Sequence, residues 1–226
     1  MIEDIPDEYR VDHYPNALER AADGWIHFVA IGLAAVGTAW LVWTAQTSGR
    51  PGLVVAAGLY GAALIAMLAF SALYNLSRIS SARPFLRRLD EAGIFLMIAG
   101  SYTPFTTQRL DGGWAVGMTT LVWTIAVGGI IGKLAFPRIS ERVWTALYVV
   151  FGWVAILALQ PLSHSLPLAV LGLLLLGGLV YTGGSLIFLK TQLPFRRAVW
   201  HGFVCAGAGL HFLAVMAGVV LAPAAG

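Results

Sequence analysis

The sequence predicts an all-α integral membrane protein, a bundle of seven transmembrane helices with its N-terminus cytoplasmic and its C-terminus outside. Three observations carry that expectation. Seven apolar runs follow one another with short linkers, each near the 20 residues that a helix needs to cross a bilayer. Hydrophobic residues make up 58% of the 226-residue chain and charged residues 11%, a balance that a soluble fold of this length could not bury. The Lys and Arg residues divide unevenly between alternate linkers, which orients the bundle.

Residues 1–23 (MIEDIPDEYRVDHYPNALERAAD) are polar and read as a cytoplasmic leader. Pro6 and Pro15 break its first part, and Asn16 is placed to cap a short interfacial helix over 17–22. No basic segment precedes the first apolar run, so no cleavable signal peptide is expected. The seven-helix domain takes up 24–226, with runs at 24–46, 52–75, 89–107, 113–134, 141–160, 166–189 and 198–221. The linkers carry breakers such as Gly49, Pro51, Gly112, Pro137 and Pro194, and none can hold a second domain. The runs lack the alternation of barrel strands.

One side collects Arg10 and Arg20, then Arg78, Arg83, Arg87 and Arg88, then Lys133, Arg138 and Arg142, then Lys190, Arg196 and Arg197. The other side has Arg50 and Arg109. The basic side faces the cytoplasm by the positive-inside rule, so the pI near 9.2 reports topology and implies no nucleic-acid partner. Trp25, Trp114, Trp144 and Trp200 fall near run ends as interfacial anchors. Gly128 with Gly132, and Gly177, Gly178, Gly183 and Gly184, suit close helix contacts. Cys205 reads as an inert buried thiol, while His13, His164 and His211 lack partners in sequence.

This topology gathers polar residues at one membrane level. Asp23 and His27 open the first span, Ser71 and Asn75 end the second, Asp90 opens the third, and Arg197 and His201 open the seventh. The three i, i+4 pairs each share a helix face. A carboxylate inside a span is costly unless partnered and marks a functional site.

The stretches SALYN at 71–75, RLDEAGIFLMIAGSYTPF at 88–105 and WHGFVCAGAGLHFLAV at 200–215 resemble the haemolysin III family of the progestin and adipoQ receptor superfamily, which includes the adiponectin receptors. The resemblance runs from the first apolar run to the seventh. It implies a zinc site near the cytoplasmic side, built from Ser-x3-His, an Asp, and His-x3-His, with three histidines as ligands. Here Ser71, Asp90 and His201 match, but Asn75 and Arg197 stand where two histidines are expected, and Asp23 stands where the family tends to have Asn before His27. Asn is a poor zinc ligand and Arg is none. No metal or other cofactor is therefore expected, with His27, Asp90 and His201 as the fallback ligands for zinc. Arg197 is expected to supply the missing positive charge by pairing with Asp90 or Asp23; the alternative is a side chain snorkelling to headgroups beside Arg196.

The resulting expectation is a protein of the cytoplasmic membrane without enzymatic activity. It would be a regulator of membrane state or a pore-type, cytolysin-like protein, with membrane lipids and a small lipid or hydrophobic ligand as partners. No span shows a continuous polar stripe, which disfavours a wide aqueous pore. The alternative is a zinc-dependent hydrolase of lipid amides, ceramidase-like, with a remodelled metal site.

Overall fold

The structure, a computed structural model, describes residues 12–136, 139–190 and 192–223. Pro6 and Arg10 of the leader, and Pro137 and Arg138 of the fourth linker, lie outside the described residues. Every regular element among the described residues is helical. Helix α1 is Ala17–Thr47, α2 Leu53–Leu76, α3 Arg83–Gln108 and α4 Gly112–Ala135. The fifth run is divided into α5 (Glu141–Gly152), a 3-10 segment (Trp153–Ala158) and α6 (Leu159–Ser165). Helix α7 is Leu168–Phe188, and α8 (Arg196–Val215) ends in a π turn over Met216–Val220.

Two helix starts differ from expectation. The Asn16 Oδ1 cap accepts from the Glu19 N–H at 2.9 Å, as foreseen. With no breaker between 17 and 24, however, the helix continues for 31 residues, so the leader helix and the first span are one element. Helix α3 begins at Arg83, well before Leu89. Pro84 sits in its first turn, where a missing N–H costs nothing. Asp90 thus lies two turns inside a helix, and Arg83, Arg87 and Arg88 are helical, not part of a loop.

Among the described residues, six helical stretches are long and apolar enough to cross a membrane: α1, α2, α4, the 141–165 stretch, α7 and α8. Helix α3 has 26 residues but is not among them, because charge fills its first turns and hydroxyls its last. Ser101, Thr103 and Thr107 bond back to carbonyls of their own helix, which quiets those hydroxyls in an apolar setting. Helices adjacent in sequence pack together from α1 to α4 and from α7 to α8, and α8 returns to α1. Leu41, Leu53, Tyr60, Met97, Val215 and Val219 fill the core, whereas Trp25, Phe28, Leu33, Val36 and Trp43 stay exposed on α1 as a lipid-facing surface. Trp144 is no interfacial anchor: it is buried, with Lys133 Nζ 4.7 Å above its ring. The α7–α8 seam is close because Gly177 and Gly184 lack a Cβ, which would approach His211 Nε2 to 2.8 Å and Phe203 Cβ to 2.6 Å. Gly128 and Gly183 meet no such neighbour.

Arg50 and Arg109, read as topology signals, also have a structural task. Arg50 donates to the Val219 and Ala222 carbonyls, and Arg109 to those of Pro223 (2.7 Å) and Val219. Cations there satisfy the orphan carbonyls at the end of α8.

The break in the fifth helix is spliced by a side chain from α3. Tyr102 Oη donates to the Gly152 carbonyl at 2.7 Å and accepts from the Ala155 N–H at 2.7 Å. Unpaired backbone groups are costly in lipid, so a helix breaks at membrane depth only where something else bonds them. Tyr102→Phe removes the hydroxyl and leaves both groups unpaired. It should cost about 1–3 kcal/mol, read as a lower melting temperature in detergent; an unchanged melting temperature would mean that water splices the break.

Candidate functional site

The polar residues singled out in the sequence do converge, in an order the sequence did not supply. Asp23 is fully buried and His27, Asn75 and His201 nearly so. Asp23 Oδ1 meets His201 Nδ1 at 2.6 Å, and its Oδ2 accepts from the Tyr14 hydroxyl at 2.5 Å. The other ring nitrogen, His201 Nε2, lies 3.2 Å from Ser71 Oγ. Asn75 Nδ2 donates to the Ser71 carbonyl (3.0 Å) and to Ser71 Oγ (3.3 Å). The Asp90 carboxyl lies beside the Ser71 and Asn75 side chains. One hydrogen-bonded chain therefore links the leader, α1, α8 and α2, with Asp90 of α3 beside it.

Arg197 departs from expectation. It does not snorkel away, and among the described residues its hydrogen bond is not to a carboxylate: Nη1 donates to Asn75 Oδ1 at 2.5 Å. The expected pairing with Asp90 or Asp23 is replaced by a bridge through Asn75, because Asp23 is already taken by His201 and Tyr14. Asp90 feels the Arg197 charge at longer range.

The leader is part of the site. His13 Nδ1 lies 3.3 Å from the Asn75 carbonyl oxygen, and its ring stands edge-on to Tyr74 at 4.6 Å. Arg20 Nη2 donates to the Leu76 carbonyl at 2.8 Å, so two leader-side groups satisfy carbonyls at the end of α2. Burial and the bond to Asp23 push the Tyr14 phenol well above its ordinary pKa, which keeps it a donor. No spacing signal marks Tyr14 or His13 in the sequence.

A cavity of about 820 Å³ opens beside this cluster, between α3, α5, α7 and α8. It exists because α5 touches α3 and α7 only lightly. Asn75, Asp90, Arg197 and His201 line its charged end, with Leu171 and Leu175 among its apolar walls. Its rim holds an ion-pair network that sequence reading missed: Lys133 pairs with Glu91, and Arg87 joins Glu91 (2.9 Å) to Glu141. Partners 42 or more residues away on other helices, as in Lys133–Glu91 and Arg87–Glu141, give no local signal.

The Asp23–His201–Ser71 run has the connectivity of an acid–base–nucleophile relay. Ser71, however, is not among the residues that line the cavity, and its oxygen also accepts from Asn75. At the metal position that the family resemblance implies, the donors do not fit zinc, since an amide and a guanidinium occupy it. The fallback grouping of His27, Asp90 and His201 is also corrected. Asp23, not Asp90, joins the two histidines, and one ligand atom from each of these three residues lies within 4.8 Å of the others.

A multi-pass helical membrane protein with a buried polar chain under one end is the class that fold and site define. Within it, the chain belongs to the family described as haemolysin-III related, which matches residues 18–212, in the progestin and adipoQ receptor superfamily. It is 34% identical to Hemolysin-3 of Bacillus cereus over 200 residues, 88% of this chain and 90% of that one. It is 30% identical to the Hemolysin-3 homolog of Bacillus subtilis (strain 168) over 198 residues, 88% and 93% of the two. It is also 27% identical to the monocyte to macrophage differentiation factor of Homo sapiens over 208 residues, 89% and 84%.

Double-mutant cycles test the corrected pairing. Arg197 should couple to Asn75, and Asp23 to His201, each by about 0.5–3 kcal/mol, with Arg197 and Asp23 near additive. A strong Arg197–Asp23 coupling in thermal melts would restore the original pairing. A second expectation concerns pH. Burial, then the Arg197 and Arg83 guanidiniums, hold the docked His13 down to about 4 from 6.5, against opposing pulls from the Asn75 carbonyl and then Asp12. A depressed pKa means that docking is at full strength above 6.5 and weakens as pH falls toward about 4. Hydrogen exchange of the leader, corrected for intrinsic rates, should show protection lost across that window. In His13→Phe, which keeps the ring on Tyr74, that dependence should disappear.

Proposed function

We propose that this chain is a seven-span protein of the cytoplasmic membrane, N-terminus inside, that regulates membrane state by binding an amphipathic lipid and does not catalyse a zinc-dependent reaction. The cavity is the observation that carries this reading. Its walls are apolar, its volume of about 820 Å³ suits a lipid chain, and its charged end carries Arg87, Lys133, Arg196 and Arg197 opposite Asp90 and Glu91. An occupant with an acyl chain and an anionic or zwitterionic headgroup matches both ends. Apolar walls suit an acyl chain better than a water column, so binding is favoured over conduction.

The seven-span reading counts α3 as a span packed inside the bundle between α2 and α4. The basic residues then face the cytoplasm, where they meet anionic headgroups. The hydrolase alternative needs three protein ligands and an open position at the cavity. Asn75 and Arg197 stand where that arrangement would be, and turnover of lipid amides by the purified protein would favour it.

Native mass spectrometry in mild detergent tests the binding reading. Wild-type protein should carry a co-purifying amphiphile. Leu174→Trp, which puts an indole into the cavity, should lose it at least tenfold with the fold intact. Equal occupancy in the two proteins would overturn the cavity as the binding site.

A further inference from the structure

We propose that Asp23, His27 and His201 form a transition-metal site of the zinc class, one helix away from the position that the family resemblance implies, and that the leader closes it. The proposal goes beyond lipid binding, which does not depend on it.

Three observations meet here. The donor set is two imidazoles and a carboxylate, which suits zinc and leaves one tetrahedral position for a solvent molecule. One ligand atom from each residue lies within 4.8 Å of the other two, close to the separation of about 3.3 Å that tetrahedral zinc imposes on its ligands. His27 Nε2 is the independent sign. The residue is 3% exposed, its ring stands 4.3 Å from that of His201, and Nε2 has no hydrogen-bond partner among the described residues. A buried imidazole nitrogen without a hydrogen bond, on a residue grouped with a second imidazole and a carboxylate, is a ligand atom in want of a cation.

Asp23 points the same way. Its hydrogen-bond partners among the described residues are His201 and the Tyr14 phenol, with no Lys or Arg. A fully buried carboxylate requires a positive charge, from a proton on His201 or from a metal. The 2.6 Å Asp23–His201 contact holds that proton in the metal-free arrangement; a metal takes its place between the same two atoms. Tyr14 keeps its bond to the other oxygen of Asp23, the second-shell arrangement that orients a ligating carboxylate. Metal and leader then stabilise each other.

The test uses full-length protein carrying no histidine tag. Elemental mass spectrometry should find about one zinc-class ion per chain. Protein stripped by chelator and reloaded with cobalt should develop the visible absorption of four-coordinate cobalt. His27→Gln alters the residue whose Nε2 holds no other bond, and should lower metal content at least tenfold. His211→Gln, in the same helix as His201 but packed against Gly177 and Tyr181 outside the group, should leave it unchanged. Stripping should also raise hydrogen exchange of residues 12–16 by several-fold. Wild-type protein with less than a tenth of an ion per chain and no cobalt band would overturn the proposal and assign the space beside His27 to water. Metal retained in His27→Gln but lost in Asp90→Asn would overturn it in favour of the family position.

Discussion

The contact between Asp23 and His201 closes the bundle. It joins the first helix to the last, and α1 and α8 otherwise meet along a much thinner seam than α2 and α3. A carboxylate at this depth has no water to solvate it, so its partners fix where three elements lie. His201 sets the angle of α8, Tyr14 draws the leader over the end of α1, and Ser71 carries the chain of bonds into α2. Breaking one link leaves a buried polar group unpaired, which costs more than the bond itself contributes.

The cavity follows from the same arrangement. Helices α1 to α4 pack as a continuous layer, and α8 is tied back to α1 and α7. The fifth helix is held to α3 by the Tyr102 splice, by Trp144, Tyr148 and Phe151 packed against Phe95, and by the Glu91–Arg87–Glu141 network. The gap beside it, toward α7 and α8, is the cavity. The polar cluster lies at one end of that gap, so an amphipathic occupant would touch both the apolar wall and the residues that hold the bundle shut.

Much of this was legible in the sequence, and the limits have physical causes. Apolar length and basic asymmetry are one-dimensional properties, so six of the expected spans emerge as helices of nearly the expected extent. Helix α3 was placed six residues late, because its charged first turns hide a helix whose start is set by Pro84. The division of the fifth helix was invisible, since its cause is a tyrosine about 50 residues away. The residues Ser71, Asn75, Asp90, Arg197, His201, Asp23 and His27 lie near one another, but their pairing differs from the expected one. Arg197 took Asn75 because Asp23 was already engaged by a leader residue that no pattern marks. Composition reveals which residues must find partners, while competition among them is settled only in three dimensions.

The sequence distance between Asp23 and His201 has a bearing on how the protein is made. The two residues are 178 positions apart. At ribosomal speeds of about 5–20 residues per second, the first helix waits on the order of 10–40 s for the histidine that it will bind. During that interval its acid and its imidazole must be sheltered by the insertion machinery, by the headgroup region, or by Tyr14, which is already synthesised. Closure of the bundle is thus the last event of assembly, and a nascent chain stalled before α8 would present an open polar seam to the membrane's quality control.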